Sequence, residues 1–356
     1  MHIDQWRWFK SVAKGAPADP APNNHVPRVA LIVDSPWIPG YLGLSHSDYY
    51  WDSAAWFDAN LKIATEFPDV VPFPSWWVEY GMAIEPSAFG TRLHFHSDQP
   101  PGQSPVLFRA EDVDRLTPVN PLTDGLMPMA LRQYRAVKQR IFDAGYTIPV
   151  VAARGPLCTA AFMRGLNDFM MDLGENPDQA HKLLRLTTET AIRWLEAQAE
   201  AIGPSVEGIL ILDDIPGLLS RRMYLEFAHP YLRQICDAFP QGWVKVYHND
   251  ARIKPFLADL PATGFDALNF THNLDIAAVR QATCGQIRLM GNVSPLDLGV
   301  RGTPAEVRTA ALEVLRKTGG EGVILSLGGG VSPGMPRANI LALVEAAHDF
   351  AAGSLL

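Results

Sequence analysis

Apolar residues along the chain fall into short, nearly continuous runs, and longer amphipathic stretches separate them. A strand covered on both faces has such an uninterrupted run, whereas a strand with one solvent-facing side alternates apolar and polar residues. The runs therefore predict buried strands of a parallel sheet. There are eight of them, at residues 28–34, 70–73, 148–153, 208–212, 243–247, 267–270, 287–291 and 322–326.

The amphipathic stretches between these runs predict helices. The clearest begins at Pro177, a residue suited to the first turn, and continues to Ile202 with one apolar stripe, and Asn176 is its candidate cap. Strands alternating with helices are typical of parallel βα units. Eight such units in about 320 residues predict an α/β fold, a closed (β/α)8 TIM barrel rather than an open doubly wound sheet. The other helices are predicted at residues 220–238, 275–282, 303–317 and 337–350.

The remaining segments are interpreted as additions to the barrel. Residues 1–27, which are rich in proline and alanine, form an N-terminal extension that we expect to wrap the outside. Residues 28–356 form a single barrel domain. Within it, residues 90–98 and the PPGQSPV sequence that follows predict an extra hairpin, inserted before the third barrel strand.

Composition narrows the function classes. Thirty Lys and Arg stand against 38 Asp and Glu, a net charge of −8 without a basic cluster, which disfavours a nucleic-acid partner. No apolar run approaches the ~20 residues that span a bilayer, so we expect no membrane partner and a cytoplasmic protein. Cys158, Cys236 and Cys284 lie far apart, without the spacing of a disulfide framework or a thiolate metal site.

Polar residues directly follow most of the predicted strands. In a (β/α)8 barrel the carboxyl ends of the strands carry the chemistry, so these side chains are expected to share one face. Grouping so many charges needs a reason, because a buried unpaired charge is costly. The residues are Arg154, Asp213, Asp214, His248, Asn249, Asp250, Thr271, His272, Asn292, Ser294 and the glycines 328–330.

His248 and Asp250 are the leading candidates for catalysis. Spaced i and i+2 at a strand end, they can point to the same side and bind a metal, hold a water or share a proton. Asp213 and Asp214 face opposite ways if the strand continues, so at most one is expected to enter the pocket. Asp214 is favoured, and whether Asp213 is only a helix cap or has another role stays open. Arg154 either clamps a carboxylate or neutralises the acidic ring, and both alternatives stay open.

Two further features have a structural and a functional interpretation. The glycines 328–330 either lay backbone N–H groups against an anion or mark a tight bend. Trp76 and Trp77, with other aromatic residues nearby, either belong to the core or line a pocket for an aromatic or quaternary-ammonium ligand. The sequence has no HExxH, GxxxxGK[ST] or GxSxG motif, which removes support for zincin, P-loop and α/β-hydrolase chemistry.

Five motifs occur in an order that resembles the uroporphyrinogen decarboxylase superfamily. They are GPLCTAAFMRG at residues 155–165, LDDIPGLLSRRMYLEFAHPYLRQI at 212–235, HNDARIKPFL at 248–257, GNVSPLDL with GTPAEV at 291–307, and GGGVSPGMPRANILALVEA at 328–346. The resemblance covers about residues 28–350 and implies a (β/α)8 barrel. It also implies one of two chemistries, either porphyrinogen decarboxylation without a cofactor or methyl transfer to the cobalt of a corrinoid protein.

Departures from the superfamily motifs distinguish these chemistries. Decarboxylases carry a stretch resembling RQAGRYLPEY, whose arginines bind a substrate with eight carboxylates, and a His in the last-strand loop. Here residues 35–50 read SPWIPGYLGLSHSDYY, and glycines stand where NLGHG is expected. Thiol-activating methyltransferases hold zinc with an HxC pair and a later Cys, but this chain has Asp250 after His248 and no Cys at residues 326–330.

The chain is most similar to the branch with an HxDG-like motif, although Ala251 replaces the glycine. That similarity implies a methyltransferase that takes a methyl group from a small methoxy or methylamine substrate to a separate corrinoid protein. His248 and Asp250 would bind or protonate the leaving atom, directly or through zinc or another divalent metal, with Asp214 as third catalytic residue. The predicted substrate-binding residues are Arg154, Asn269, His272, Asn292, Trp76 and Trp77.

Two alternatives to this methyltransferase stay open at this stage. One is a uroporphyrinogen decarboxylase-type decarboxylase in which Arg154 holds a carboxylate. The other is a non-catalytic tetrapyrrole-binding barrel that kept the fold and lost the chemistry. The expected corrinoid is carried by the partner protein, since no corrinoid-binding domain is recognised in this sequence. The oligomeric state is open, with a homodimer as one alternative.

Overall fold

The computed structural model describes residues 1–15 and 29–353. Eight parallel strands form one curled sheet in the order β2-β1-β10-β9-β8-β7-β6-β5, and β3 and β4 form a separate antiparallel hairpin. Each predicted apolar run within the described residues contains a strand, while Arg28 lies outside them. In chain order the strands are β1 Val29–Ile32, β2 Val70–Phe73, β3 Arg92–His94, β4 Gly102–Ser104, β5 Val150–Arg154, β6 Gly208–Leu212, β7 Val244–Asn249, β8 Ala267–Phe270, β9 Arg288–Val293 and β10 Val323–Leu327.

One buried cluster lies inside the curled sheet, and every sheet strand contributes to it. The end strands β2 and β5 both take part, through Val71 and Val150, so the sheet curls around a shared interior. Among the described residues, no hydrogen-bonded pair joins β2 to β5. The prediction of eight parallel strands around one core is therefore confirmed, and closure of the barrel stays a prediction.

Helices follow most strands and cover the outer face of the sheet. Helix α9 has the predicted bounds, but the Asn176 side chain donates to Asp172 Oδ1 at 3.0 Å and does not cap it. The helix predicted at 220–238 is two helices, because Pro230 has no N–H to continue the first one. The helices are α1 Ile3–Lys14, α2 Ile38–Leu42, α3 His46–Trp51, α4 Ser53–Glu66, α5 Ile84–Ser87, α6 Met127–Asp143, α7 Pro156–Arg164, α8 Leu166–Glu175, α9 Pro177–Ile202, α10 Arg221–Phe227, α11 His229–Ala238, α12 Ile276–Ala282, α13 Pro304–Thr318 and α14 Arg337–Ala351.

Three 3-10 segments complete the described secondary structure, at Ala110–Arg115, Ile215–Leu218 and Lys254–Thr263. In the described part of the chain, every helix is too short or too polar to cross a bilayer.

The prediction that the N-terminal extension wraps the outside of the sheet is wrong for its described residues, 1–15. Helix α1 lies across the amino ends of the strands, where Trp6 and Phe9 enter the interior cluster and the Phe9 ring stacks on Phe73 with centroids 4.6 Å apart. Trp6 Nε1 donates to Glu207 Oε2 at 2.8 Å. The open end of the interior is apolar, so the apolar stripe of α1 buries there more favourably than on the polar exterior. Residues 16–27 lie outside the described residues.

The inserted hairpin is present as predicted and helps to form the site. Strands β3 and β4 pair Arg92 with Ser104 and His94 with Gly102. The connection between them contributes Pro100 and Pro101 to the wall of the central cavity described below. The insertion therefore extends the carboxyl-end face of the sheet on the side of β2.

Candidate active site

A cavity of about 510 Å³ lies at the carboxyl ends of the sheet strands. Strand side chains alternate between the two faces, so the inward positions of each strand continue upward into this cavity. On β7, for example, Val244 and Val246 belong to the interior cluster and His248 lines the cavity above them. The lining residues are Ile32, Asp34, Pro36, Gly81, Met82, Pro100, Pro101, Gly102, Gln103, Arg154, Phe162, Leu212, Asp214, His248, Asp250 and Gly330.

The hydrogen bonds of Asn269 determine the tautomer of His248. Asn269 is fully buried, and its amide nitrogen donates to Met290 O at 2.8 Å and to Leu327 O at 2.9 Å. Its Oδ1 must then accept, and it lies 2.7 Å from His248 Nδ1. The proton of a neutral His248 is therefore on Nδ1, and the Nε2 lone pair is free.

His248, Asp214 and Asp250 form a compact group, which we call the His248 triad. One ligand atom from each lies within 4.8 Å of the others, and His248 Nε2 is 3.7 Å from Asp214 Oδ1. Asp214 Oδ1 also accepts from the Asp250 backbone N–H at 3.1 Å. The structure thus brings Asp214 together with His248 and Asp250, which the sequence predicted as a pair. One imidazole nitrogen and two carboxylates are a donor set that suits a hard or borderline divalent cation.

The surroundings of Asp250 at the cavity opening shift the pKa of its carboxyl group. Desolvation and the nearby Asp214 carboxylate raise its pKa, while His248 and His272 oppose that shift. The last-strand loop approaches it closely, since a Cβ on Gly329 would lie 2.9 Å from Asp250 Oδ2 and the φ of Gly329 is +139°. Gly329 therefore allows this close approach, which supports the tight-bend interpretation of the glycine run.

Asp213 is a helix cap, in agreement with one of the two predicted alternatives. It is fully buried, and its carboxylate accepts from the backbone N–H groups of Leu157 at 3.1 Å and Cys158 at 2.8 Å, in the first turn of α7. Gly155 provides the necessary space, since a Cβ there would lie 2.3 Å from Asp213. Asp213 therefore holds the β5-α7 connection, next to the cavity but outside it.

We expect Asp213→Asn to weaken the pH dependence of stability. Burial raises the pKa of Asp213 from its ordinary 3.8 to about 7. Between these values the folded state keeps a proton that the unfolded chain loses, so the wild type loses stability as the pH rises. Asn cannot ionise, so urea denaturation at about pH 4 and about pH 7.5 should show a smaller loss in the variant. Equal losses in both proteins would contradict the raised pKa.

Three carboxyl groups near Arg154 were missed by the sequence analysis. Asp34 lines the cavity, and burial together with Glu79 raises its pKa to about 7. Glu79 and Glu85 are buried in the segment after β2, and burial raises the pKa of each. Asp34 is the last residue of the first predicted run, so the search for polar residues at the carboxyl ends of strands should have identified it. Glu79 and Glu85 are not at a strand end, and no such signal marks them.

Five of the six predicted substrate-binding residues do not line the central cavity, namely Asn269, His272, Asn292, Trp76 and Trp77. Trp76 packs in the outer core, where its ring stacks on Phe57 at 5.4 Å, and Trp77 belongs to the interior cluster. His272 and Asn292 line a second cavity of about 430 Å³. The Asn292 amide donates to Thr271 O at 3.2 Å and to Leu274 O at 2.7 Å, so it holds the loop after β8.

Of the predicted residues, Arg154 and the His248 triad line the central cavity, and Asn269 orients His248 from the neighbouring strand. Comparison with known proteins identifies the family of this chain. The profile described as "Uroporphyrinogen decarboxylase (URO-D)" matches residues 62–350. A uroporphyrinogen decarboxylase from Chloroherpeton thalassium is 32% identical over 274 residues, which are 74% of this chain and 75% of that protein. One from Nitrosomonas europaea is 29% identical over 282 residues, again 74% and 75% of the two chains.

Solved structures agree on the fold. A methyltransferase from Methanosarcina mazei superposes with a TM-score of 0.81 at 21% identity, over 99% of this chain and 100% of that chain. A B12-independent methionine synthase from Shewanella sp. W3-18-1 gives 0.59 at 10% identity, over 92% and 98%. Identities this low describe the fold alone, whereas the profile match extends over most of the chain. The protein belongs to the uroporphyrinogen decarboxylase family.

Proposed function

We propose that this family member is a methyltransferase that transfers a methyl group from a small methoxy or methylamine compound to a corrinoid on a separate protein. The observation that carries the proposal is the His248 triad in the lining of the cavity, where His248 has a free Nε2 and two carboxylates lie beside it. Methyl transfer leaves a poor leaving group behind, an alkoxide, a phenoxide or an amine. This group needs a proton or a positive charge as the bond to carbon breaks.

Each residue of the site has a separate role in activating the leaving group. Asn269 keeps His248 Nδ1 protonated, so only Nε2 faces the substrate. In its imidazolium form, His248 donates the Nε2 proton to the leaving oxygen or nitrogen, and Asp214 at 3.7 Å stabilises the imidazolium charge. Asp250 belongs to the same group and fixes the position of Asp214 through its backbone N–H.

A divalent metal is the alternative way to activate the leaving group. The neutral tautomer of His248 offers an Nε2 lone pair, and Asp214 and Asp250 add carboxylate oxygens within 4.8 Å, so the donor set fits such an ion. When bound, the ion would supply positive charge at the leaving atom. The same three side chains serve either mechanism, and metal analysis of the purified protein distinguishes direct proton transfer from activation by a metal.

The charge of the cavity disfavours uroporphyrinogen as the substrate. The described cavity lining has three carboxylates, Asp34, Asp214 and Asp250, and one arginine, Arg154. A substrate with eight carboxylates would meet net repulsion there and only one guanidinium partner. Decarboxylation is still the second candidate, because the sequence relatives are named uroporphyrinogen decarboxylases and Arg154 can hold one carboxylate.

The test is a direct comparison of the two reactions. Purified protein is incubated under reducing conditions with cob(I)alamin and either methoxy or methylamine donors, and methylcobalamin is followed by its absorbance. The same protein is incubated with uroporphyrinogen III. We expect enzyme-dependent methylcobalamin from at least one donor and no coproporphyrinogen above the buffer rate. Coproporphyrinogen without any methyl transfer would overturn the proposal in favour of the second candidate.

A further inference from the structure

Arg154 has an unusual position in the cavity. It is the one arginine or lysine among the described lining residues, and only 7% of its surface is exposed. Its guanidinium makes a single hydrogen bond to protein, from Nη2 to Gly81 O at 3.1 Å. Among the described residues, its Nε is buried and has no hydrogen-bond partner. A buried guanidinium with unused donors is costly unless an acceptor reaches it.

The nearby carboxyl groups do not use these donors. Glu79 accepts from the backbone N–H groups of Ser35, at 2.8 Å, and Gly81. Glu85 accepts from the backbone N–H of Arg154 itself at 2.7 Å. The Arg154 charge acts on Asp34, Glu79 and Glu85 over a distance and lowers the pKa of each, against the larger effect of burial. Because the hydrogen bonds of Glu79 and Glu85 go to backbone N–H groups, the remaining guanidinium donors are available to a ligand.

The strand register fixes the spacing between Arg154 and the His248 triad. Arg154 is level with Leu212 on β6, and Leu212 is level with His248 on β7. Two strand spacings separate the backbones of Arg154 and His248, about 10 Å. Leu212, an apolar residue of the cavity lining, lies between them, and Phe162 is a second apolar lining residue. A cationic end, an apolar middle and a group that activates a leaving atom therefore follow one another along the cavity.

We propose that Arg154 is a carboxylate-binding subsite, and that the ligand is a small methoxy or methylamino carboxylic acid with an apolar spacer. The carboxylate binds the free guanidinium donors, the spacer lies against Leu212 and Phe162, and the methylated atom reaches the His248 triad. The identity of the methylated end rests on the proposed function, whereas the carboxylate end rests on Arg154 alone.

Calorimetric binding of matched acid and amide probes tests the subsite. The pairs are methoxyacetate, 3-methoxypropionate and 4-methoxybenzoate, each against its neutral amide. We expect at least one acid to bind about 10-fold or more tightly than its amide, the effect of a charge-assisted hydrogen bond. Arg154→Gln should bring the two members of that pair within about two-fold. The control Arg92→Gln, on the exposed strand β3, should keep the full preference.

Equal or unmeasurable binding of all pairs by the wild type would overturn the subsite, as would an acid preference that survives Arg154→Gln. If Arg154→Gln does not fold, Arg154→Lys replaces it. Lysine keeps the charge but lacks the guanidinium fork, so the acid should weaken while the amide is unchanged. The assay needs no turnover, so an acid preference without methylcobalamin formation keeps the subsite and rejects the proposed function. Methyl transfer without an acid preference rejects the subsite and keeps the proposed function.

Discussion

Asp250→Asn is expected to lower methyl-transfer turnover by about 10²- to 10⁴-fold while the protein stays folded. The substitution keeps the side-chain volume and removes the negative charge beside His248 and Asp214. Asp250 follows β7, whose apolar residues already supply the local packing, so little stability should depend on its carboxylate. Turnover is measured as methylcobalamin formation, and folding is measured as the thermal unfolding midpoint of the same preparations.

Asp297→Asn is the matched control for this substitution. Asp297 is also an exposed residue in a loop after a sheet strand, and among the described residues its side chain pairs with Arg301 at 3.2 Å, away from the central cavity. Its replacement should leave turnover unchanged and stability within about 0.5 kcal/mol. A sharp drop in the melting temperature of Asp250→Asn with unchanged turnover would mean that Asp250 is a structural residue. The proposed role of the His248 triad would then be wrong.

Metal analysis of these proteins separates the two ways of activating the leaving group. If the triad binds a metal, the wild type should contain zinc or a hard divalent cation, and His248→Ala should lose it. If the wild type binds none even after incubation with these ions, His248 acts by direct proton transfer. Both outcomes are compatible with the Asp250→Asn result.

Asn269→Ala is expected to lower the free energy of unfolding by about 2–4 kcal/mol. The substitution removes three buried hydrogen bonds, one from His248 Nδ1–H and one to each of the carbonyl oxygens of Met290 and Leu327. Because His248 also loses the bond that fixes its tautomer, turnover should fall about 10- to 100-fold in the protein that remains folded. Urea denaturation gives the first quantity and the cobalamin assay gives the second.

Asn273→Ala is the control, since Asn273 is exposed in the loop after β8 and, within the part of the chain that the structure describes, its side chain bonds to Thr271 alone. Its effect on stability should stay within about 0.5 kcal/mol. Asn269→Ala with wild-type stability would contradict the buried hydrogen-bond network. Wild-type turnover in the same variant would mean that His248 does not depend on Asn269 for its orientation.

The sequence by itself determined the strands, most of the helices and the main part of the candidate site. A strand buried on both faces needs a continuous apolar run, so all eight strands could be read locally. The carboxyl ends of parallel strands share one edge, and side chains alternate with a period of two. These two rules are enough to bring Arg154, Asp214, His248 and Asp250 to one cavity. Family motifs then agreed with the profile match.

Only the tertiary structure decided features that depend on contacts between distant segments. Helix α1 has an apolar stripe that fits either the outside of the sheet or its open end, and packing places Trp6 and Phe9 in the interior. Trp76 and Asn292 have residue types that suit the central cavity, yet Trp76 packs in the core and Asn292, at the end of β9, donates to Leu274 and lines the second cavity.

The chemistry of the site also depended on the folded structure. The tautomer of His248 follows from the two partners of the Asn269 amide nitrogen, the backbone carbonyls of Met290 on β9 and Leu327 on β10. No local sequence pattern connects these residues with His248. The free donors of Arg154 follow from where Glu79 and Glu85 find their own hydrogen bonds. Local sequence determines which side chains reach the cavity because strand geometry is periodic. Hydrogen-bond partners are set by loop conformation and long-range packing, and neither is periodic in the sequence.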